Sequence, residues 1–246
     1  MKIALISDKL PQLPAELTEK KDMTFSLFHS EKAVTPTDWF EYEAAYLLEP
    51  YGEAAVRNWT GHPHLRAVAD MEALAVELQA LTADVECERK FLVEYPDLQA
   101  LEKYHPYRSK IEQIYLVNPN ATHRLRKRTA DGVTAYIETI KIRQTSLKCT
   151  ELERTLTKAE YEELLPLTDP AKHPVVKDRY CFLYQGQYFE LDVFSFWKDR
   201  AVVELELSNE NAQITLPPEL TLLKEVTDDV RYKNNYMAGA DSYDYY

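Results

Sequence analysis

The chain has 246 residues, of which 45% are hydrophobic, and its formal net charge is −12 at pH 7. This length allows one or two domains with a sizeable core, and the acidic balance argues against a nucleic-acid backbone as the main partner. No apolar run is long enough to span a bilayer, no signal-peptide core follows Met1, and the three cysteines are too scattered for a disulfide framework or a metal clip. We therefore expect a cytoplasmic protein with reduced thiols and neither a nucleic-acid nor a membrane partner.

The first 83 residues have the pattern of a small α/β domain. Apolar runs and helical spacing predict strands at 2–6, 23–28 and 64–68, and helices over 37–48 and 71–81. This order is typical of a small parallel sheet. The five glycines of the chain allow neither G-x-x-x-x-G-K nor G-x-G-x-x-G, so we expect no phosphate-binding loop.

Beyond residue 84 the pattern changes to short β-rich segments separated by turns. Strands are predicted over 111–116, 123–128, 134–143, 149–156, 175–184, 188–194 and 201–207. A hairpin turn is predicted at Asp131-Gly132, and one short helix over 158–165. This succession predicts an antiparallel barrel or sandwich.

Almost every one of these strands carries charge at every second position, which places the charges on one face. The rows are Glu86/Glu88/Lys90, Arg124/Arg126/Arg128, Lys141/Arg143, Glu151/Glu153, Lys177/Arg179, Glu190/Asp192 and Glu204/Glu206. For any single strand, a solvated outer face is the simplest explanation. A solvated surface normally mixes signs, however, and here some strands are wholly basic and others wholly acidic. We therefore favour a barrel with a charged lumen, in which carboxylates bind divalent cations and basic groups bind polyphosphate oxygens.

Nine motifs follow one another between residues 84 and 236. They are Glu86-x-Glu88-x-Lys90, Gln113-Ile-Tyr115, Arg124-x-Arg126, Thr139-Ile-Lys141, Glu151-x-Glu153, Lys177-x-Arg179-Tyr180, Glu190-Leu-Asp192, Val203-Glu204-Leu-Glu206 and the segment 225–233. In this order they resemble the CYTH family, the triphosphate tunnel metalloenzymes. The resemblance implies an α+β fold: an eight-stranded antiparallel β-barrel with peripheral helices, here preceded by the small α/β domain.

The resemblance also implies hydrolysis of inorganic triphosphate to diphosphate and phosphate, with Mg²⁺ or Mn²⁺ as the cofactor. Carried over by position, the implied metal ligands are Glu86, Glu88, Asp192, Glu204 and Glu206. The implied substrate-binding residues are Lys90, Arg124, Arg126, Lys141 and Arg179, with Arg231 and Lys233 on a C-terminal helix that plugs or lines one end. Lys177 is implied to activate the attacking water, with Tyr115 nearby. Neighbouring cations would help Lys177 to lose its proton.

One position departs from the family pattern. An arginine often precedes the fifth-strand E-x-E, and this chain has Lys148 and Cys149 there. The sequence therefore does not predict that phosphate contact, and the preference for inorganic over organic triphosphate stays open. The alternatives are a hydrolase of thiamine triphosphate or a nucleotide, an adenylate cyclase, and a binding module that senses polyphosphate. Homodimer formation is left open as well.

The segment from Gly61 to Asp70 resembles the junction in proteins that fuse an AAA-like P-loop ATPase to a CYTH domain. We therefore expect residues 1–83 to be a shortened ATPase-like remnant without its phosphate loop. Residues 84–246 are then expected to form the tunnel domain, with a C-terminal helix and a short disordered tail over 238–246.

Overall fold

Two β-sheets form the framework of the protein. The computed structural model describes residues 1–9, 11–13, 23–39, 41–62, 64–82, 87–143, 149–207 and 212–243. Within these residues, one sheet has four parallel strands and the other has nine strands with only antiparallel pairings. None of the helices in these ranges is long and apolar enough to cross a membrane.

The four-stranded sheet and its helices form the N-terminal unit, residues 1–82. Its elements are β1 (Lys2–Ser7), β2 (Thr24–His29), α1 (Pro36–Trp39), β3 (Ala44–Leu48), α2 (Glu53–Trp59), β4 (Leu65–Val68) and α3 (Met71–Thr82). The strand order is β2-β1-β3-β4. One face packs against Leu74 and Leu78 of α3, and the other against Ala55 and Trp59 of α2. Because both faces are covered, the central strands are apolar at nearly every position.

The helix predicted over 37–48 is wrong. Only Pro36–Trp39 is helical, and Ala44–Leu48 is the central strand β3, in which all five residues are buried. The apolar residues that match helical spacing belong to a continuous apolar run. A run of this length is equally typical of a strand buried on both faces, and here the sheet neighbours decide the outcome.

The nine-stranded sheet contains all of the strands predicted after residue 84. Its strands are β5 (Cys87–Glu94), β6 (Tyr107–Leu116), β7 (Thr122–Ala130), β8 (Val133–Arg143), β9 (Cys149–Leu156), β10 (Val175–Tyr184), β11 (Gln187–Phe194), β12 (Arg200–Leu207) and β13 (Leu222–Glu225). Its helices are α4 (Lys158–Leu164), α5 (Asn234–Met237) and three short 3-10 helices at Ala100–Tyr104, Leu165–Leu167 and Val230–Tyr232. The strand order is β13-β5-β12-β11-β10-β6-β7-β8-β9.

The predicted antiparallel sheet with a few helices is confirmed, but a closed eight-stranded barrel is not. A ninth strand, β13, pairs with β5 at residues 91–93 and occupies an edge that closure would require. Among the described residues, no ladder joins β9 to β5 or β13. Because β13 is short and mostly exposed, its sequence lacks the alternation by which strands are recognised.

The sheet is nevertheless strongly curved. Glu88 on β5 and Lys141 on β8 are separated by five intervening strands, which would place them about 29 Å apart in a flat sheet. The charge of Lys141 still contributes to the pKa of Glu88, after larger effects of burial and of Glu204 and Lys90. Such an influence requires a much shorter distance. The concave side, called the inner face, is formed by the alternate residues that include Lys90, Tyr115, Arg126, Arg179 and Glu204.

The C-terminal segment, residues 230–243, covers one end of this inner face. Tyr232 and Met237 are buried in a cluster with Tyr115 and Phe194. The disordered tail expected over 238–246 is wrong for residues 238–243, because Tyr243 stacks on Phe196 with ring centroids 3.9 Å apart. Trp197 also donates a hydrogen bond from Nε1 to the Tyr243 carbonyl. Residues 244–246 lie outside the described ranges.

Candidate active site

The acidic wall is a group of charged side chains on β5, β10, β11 and β12. It consists of the carboxylates of Glu88, Glu190, Asp192 and Glu204 and the cations of Lys90, Lys177 and Arg179. Strand register brings them together, because Glu204 lies opposite both Glu190 and Lys90. The period-2 rows of the sequence therefore lie side by side on one face, as predicted.

Arg179 is the central residue of this wall. Its Nε and Nη2 donate to the two oxygens of Asp192 at 2.6 and 2.7 Å, and Nη2 also donates to Glu204 at 2.7 Å. Nη1 donates to Glu190. Burial alone would lower the pKa of Arg179, but Asp192 and Glu190 outweigh it and raise that pKa. The guanidinium is therefore permanently charged and ties three carboxylates together.

Lys177 is buried beside this guanidinium, with 2% of its surface exposed. Its Nζ donates to Asp192, and it lies 5.7 Å from the centre of the Phe194 ring. Burial and then the charge of Arg179 lower the pKa of Lys177, while Asp192 opposes the shift. The ammonium is therefore easier to deprotonate than that of an ordinary lysine.

Lys90 and Glu204 form a close ion pair at 2.7 Å between Nζ and Oε1. Burial would raise the pKa of Glu204, but Lys90, Lys177 and Arg179 hold it well below its usual range. For Lys90, burial acts to lower the pKa, and Glu204 and Glu88 outweigh it so that the pKa is raised. Each group therefore stabilises the charged form of the other.

Among the carboxylates of the acidic wall, Glu88 is the one whose negative charge is least compensated by neighbouring cations. Burial and then the like charge of Glu204 raise its pKa, and Lys90, 3.4 Å away, opposes the shift. Because 46% of the side-chain surface is exposed, solvent weakens both the effect of burial and the effects of these neighbouring charges. A carboxylate crowded by other carboxylates fits a divalent cation, which is a hard acid and binds oxygen ligands.

The other predicted metal ligands differ in their surroundings. Asp192 is enclosed by Lys177 and Arg179. Glu86 lies outside the described residues, and Glu206 is known only by its strand position opposite Glu88. Within the described residues, no three His, Cys, Asp or Glu side chains are grouped as a metal site. Among the predicted ligands whose side chains are described, Glu88 and Glu204 are the donors that fit a cation.

The arginine row consists of Arg124, Arg126 and Arg128 on the inner face of β7. Arg124 donates from Nη2 to Thr139 at 3.0 Å and lies 3.9 Å from Glu153. For Arg126, the described residues provide no hydrogen-bond acceptor to the buried Nε. Burial and then the neighbouring Arg124 lower the pKa of Arg126 to about 10. The guanidinium of Arg126 is therefore placed to donate to an anion.

The acidic wall and the arginine row face a common space. Smaller contributions to the pKa of Arg126 come from Glu153, Arg179 and Glu190, so charges of both walls reach it. Tyr115, buried on β6, has a pKa raised by burial and lowered in part by Arg124, Arg126 and Lys90. The structure thus brings together Glu88, Lys90, Tyr115, Arg124, Arg126, Lys141, Lys177, Arg179, Asp192 and Glu204 on one face.

Two predicted residues lie apart from the sheet. Arg231 forms a two-point ion pair with Asp229, at 2.9 Å from Nε and 2.6 Å from Nη2, and Lys233 is exposed. Both belong to the C-terminal segment, where their neighbours Tyr232 and Met237 provide the buried contacts. Lys148 lies outside the described residues.

Two inner-face residues were missing from the predicted site. Glu190 pairs with Arg179, and Arg128 donates from Nε to Ser109 at 3.1 Å. Both continue the period-2 rows of Asp192 and Arg126. The alternation of charge along each strand was therefore sufficient to find them.

Comparison with known proteins identifies the family of the chain. The family model of the CYTH domain matches residues 84–227. An inorganic triphosphatase of Nitrosomonas europaea is 37% identical over 157 residues, which cover 62% of this chain and 96% of that protein. The crystal structure of an inorganic triphosphatase has 34% identity and a TM-score of 0.44, covering 63% of this chain and 95% of that one. A protein of Pyrococcus horikoshii OT3 has 19% identity and a TM-score of 0.39, covering 51% of this chain and 81% of that one. The chain belongs to the CYTH domain family.

Proposed function

We propose that this chain hydrolyses inorganic triphosphate to diphosphate and phosphate on the inner face, with a divalent cation. Family membership and the triphosphatase relative confirm the predicted enzyme class, a hydrolase of phosphoanhydride bonds. The observation that carries the substrate proposal is Arg126, for whose buried Nε the described residues provide no acceptor, on a strand opposite a wall of carboxylates.

Substrate binding is assigned to Arg124 and Arg126 of the arginine row, with Lys90, Lys141 and Arg179. Guanidinium groups bind phosphate oxygens through paired, charge-assisted hydrogen bonds. Arg126 would gain most from such binding. Its pKa is lowered by burial and by the neighbouring Arg124, and a bound anion would relieve the repulsion between the two guanidinium groups. Arg179 is already saturated by carboxylates, so we assign it chiefly to ordering the acidic wall.

The cation is assigned to Glu88 and Glu204, and the resemblance to the family adds Glu86 and Glu206. Mg²⁺ and Mn²⁺ both suit carboxylate ligands. When bound, the ion would neutralise charge that develops on the phosphate oxygens. The crowding of Glu88 by Glu204 and Glu190 supports this position, because a cation between them would remove the repulsion.

Proton transfer is assigned to Lys177. Its lowered pKa supports a role in taking a proton from the attacking water, and its bond to Asp192 fixes the position of Nζ. The water oxygen would form a bond to phosphorus while the bond to the bridging oxygen breaks, with diphosphate or phosphate leaving. Tyr115, near the arginine row, is assigned to orienting the phosphate chain.

A phosphate-release assay tests the proposal. Tripolyphosphate, ATP and thiamine triphosphate are compared with Mg²⁺, with Mn²⁺ and with a chelator. We expect release of phosphate from tripolyphosphate that is fastest with one of the metals and stops with the chelator. Faster release from ATP or thiamine triphosphate would favour an organic substrate. Tight binding of tripolyphosphate without release from any substrate would contradict catalysis and favour a binding module.

A further inference from the structure

The N-terminal unit covers the second end of the inner face, opposite the C-terminal segment. Cys181 and Tyr188, inner-face residues of β10 and β11, belong to the same buried cluster as Trp39 and Trp59 of the N-terminal unit. The Tyr188 hydroxyl donates to the Thr60 carbonyl at 2.7 Å. The two sheets therefore share a core at this end of the inner face.

The approach of the two parts is closest at Gly61. A Cβ added at this position would lie 2.2 Å from the Trp39 ring and 2.7 Å from the Tyr107 ring of β6. Trp39 and Tyr107 meet edge to face, with centroids 4.9 Å apart. Only glycine leaves room for this contact, so the position of the Tyr107 ring depends on the N-terminal unit.

Arg128 lies at this junction. Its guanidinium is 5.4 Å from the centre of the Tyr107 ring, and Nε donates to Ser109 at 3.1 Å. Arg128 is partly buried, and the described residues provide no acceptor for its buried Nη2. A buried donor atom without an acceptor is costly, and an anion bound to it would remove that cost.

We propose that Arg128 is a third arginine of the substrate site, which binds the phosphate nearest the N-terminal unit, and that the Gly61–Trp39–Tyr107 contact positions its guanidinium. This inference rests on the proposed function, since it takes tripolyphosphate as the ligand. It gives the N-terminal unit a specific task, which is to form the end wall of the site and to support one substrate contact. The chain thereby has an anion contact beyond Arg124 and Arg126.

The direct test compares Arg128→Gln with Lys127→Gln. Lys127 is the next residue on β7 and points to the opposite face, so both variants lose one positive charge from the same strand. Isothermal titration measures binding of tripolyphosphate to the full chain in buffer that contains a chelator, in which no hydrolysis is expected. We expect Arg128→Gln to raise Kd by at least about tenfold, about 1.4 kcal/mol, and Lys127→Gln to stay within about twofold. Arg128→Lys, which keeps the charge without the fork, should fall between them.

The positioning role is tested with Gly61→Ala and its matched control Gly52→Ala. An added Cβ at Gly52 would lie an ordinary 3.8 Å from the Asp8 carboxylate. We expect Gly61→Ala to weaken tripolyphosphate binding, and to add little when combined with Arg128→Gln, whereas Gly52→Ala binds as the parent does. If Gly61→Ala fails to fold, Tyr107→Leu serves instead, because it removes the aromatic face beneath the guanidinium.

The outcomes separate this inference from the proposed function. Equal affinities of Arg128→Gln and Lys127→Gln, in a chain that still hydrolyses tripolyphosphate, would overturn the Arg128 contact alone. Weak binding by Arg128→Gln together with normal binding by both Gly61→Ala and Tyr107→Leu would overturn the role of the N-terminal unit. A parent chain that neither binds nor hydrolyses tripolyphosphate would remove the proposed function and this inference together.

Discussion

The acidic wall and the arginine row lie on the same curved sheet but differ in how their charged side chains are paired. In the acidic wall, Lys90, Lys177 and Arg179 each bond to carboxylates that strand register sets beside them. In the arginine row, the described residues provide no acceptor for one buried donor atom of Arg126 and one of Arg128. The cations of the acidic wall are all paired with carboxylates, whereas these two arginines each have a donor atom left over.

This difference indicates how the two walls divide their work. A network of paired, buried charges is rigid and costly to break, so it is suited to holding groups in fixed positions. Guanidinium groups with unused donors are suited to binding an anion that arrives from solution. Substitutions in the acidic wall should therefore affect both stability and catalysis, whereas those in the arginine row should affect substrate binding.

The largest effect is expected for Lys177→Ala, which removes the proposed base from the acidic wall. We expect kcat to fall by about 10²- to 10⁴-fold and the pH dependence of the remaining activity to change. The control is Lys110→Ala, which removes an exposed lysine from the outer face of β6. A Lys177→Ala variant with the full rate and the parent pH profile would show that Lys177 is not the base.

Arg179→Gln tests whether the acidic wall depends on its internal pairing. It leaves Asp192, Glu190 and Glu204 short of a common partner, so we expect the free energy of unfolding to fall by about 3–5 kcal/mol in urea titrations. Arg108→Gln is the matched control, because Arg108 pairs with Glu102 on the surface, where such a pair contributes about 0–1 kcal/mol. If the two variants lost equal free energy of unfolding, the buried pairs of Arg179 would stabilise the chain no more than the exposed pair of Arg108.

Arg126→Gln should weaken substrate binding without lowering stability, whereas Arg179→Gln should lower stability. We expect KM for tripolyphosphate to rise by about 10- to 100-fold, since hydrogen bonds to charged groups contribute about 1.5–3 kcal/mol. The free energy of unfolding should stay unchanged or increase, because an unpaired buried cation is lost. Steady-state kinetics and urea titration on the same preparation, with Lys127→Gln as the control, measure both. A stability loss as large as that of Arg179→Gln would show that the two walls do not differ.

His62 in the N-terminal unit provides a third way for a buried titratable group to be accommodated, by staying neutral. Burial lowers the pKa of His62 to about 3, and Nε2 lies 3.0 Å from the Tyr42 carbonyl. Above pH 6.5 the ring is neutral in both the folded and the unfolded chain. Below pH 6.5, the His62 ring takes up a proton in the unfolded chain but stays neutral in the folded chain. The free energy of unfolding therefore falls by about 1.4 kcal/mol for each pH unit, until about pH 3.

We expect His62→Gln to lose this dependence. Between about pH 7.5 and about pH 5.5, the parent chain should lose roughly 1.4 kcal/mol more than the variant. His29→Gln, at an exposed histidine, should follow the parent. If His62→Gln follows the parent as well, the acid sensitivity arises at other groups.

Much of the large sheet could be predicted from the sequence because its signal is local. Charge at every second position identified the strands and the face on which Lys90, Arg126, Arg179 and Glu204 meet. Which charge pairs with which depends on register between strands distant in sequence, so the saturation of Arg179 could not be read from the chain. Pairing with distant strands also explains why β3 and β13 are strands. Local spacing predicts a helix for β3 and no strand for β13.

The shared core of the two sheets bears on how the chain folds. Thr60 and Tyr188 are 128 positions apart in sequence, and the bond between them forms only when the hairpin of β10 and β11 is in place. In the complete chain Trp39 and Trp59 are buried in the cluster that contains Tyr188, so we expect this side of the parallel sheet to be fully covered only after β11 has been synthesised. A nascent chain that stalls before residue 188 presents this aromatic surface uncovered. Completion of the barrel-like sheet is thus also the step that protects the first domain from aggregation.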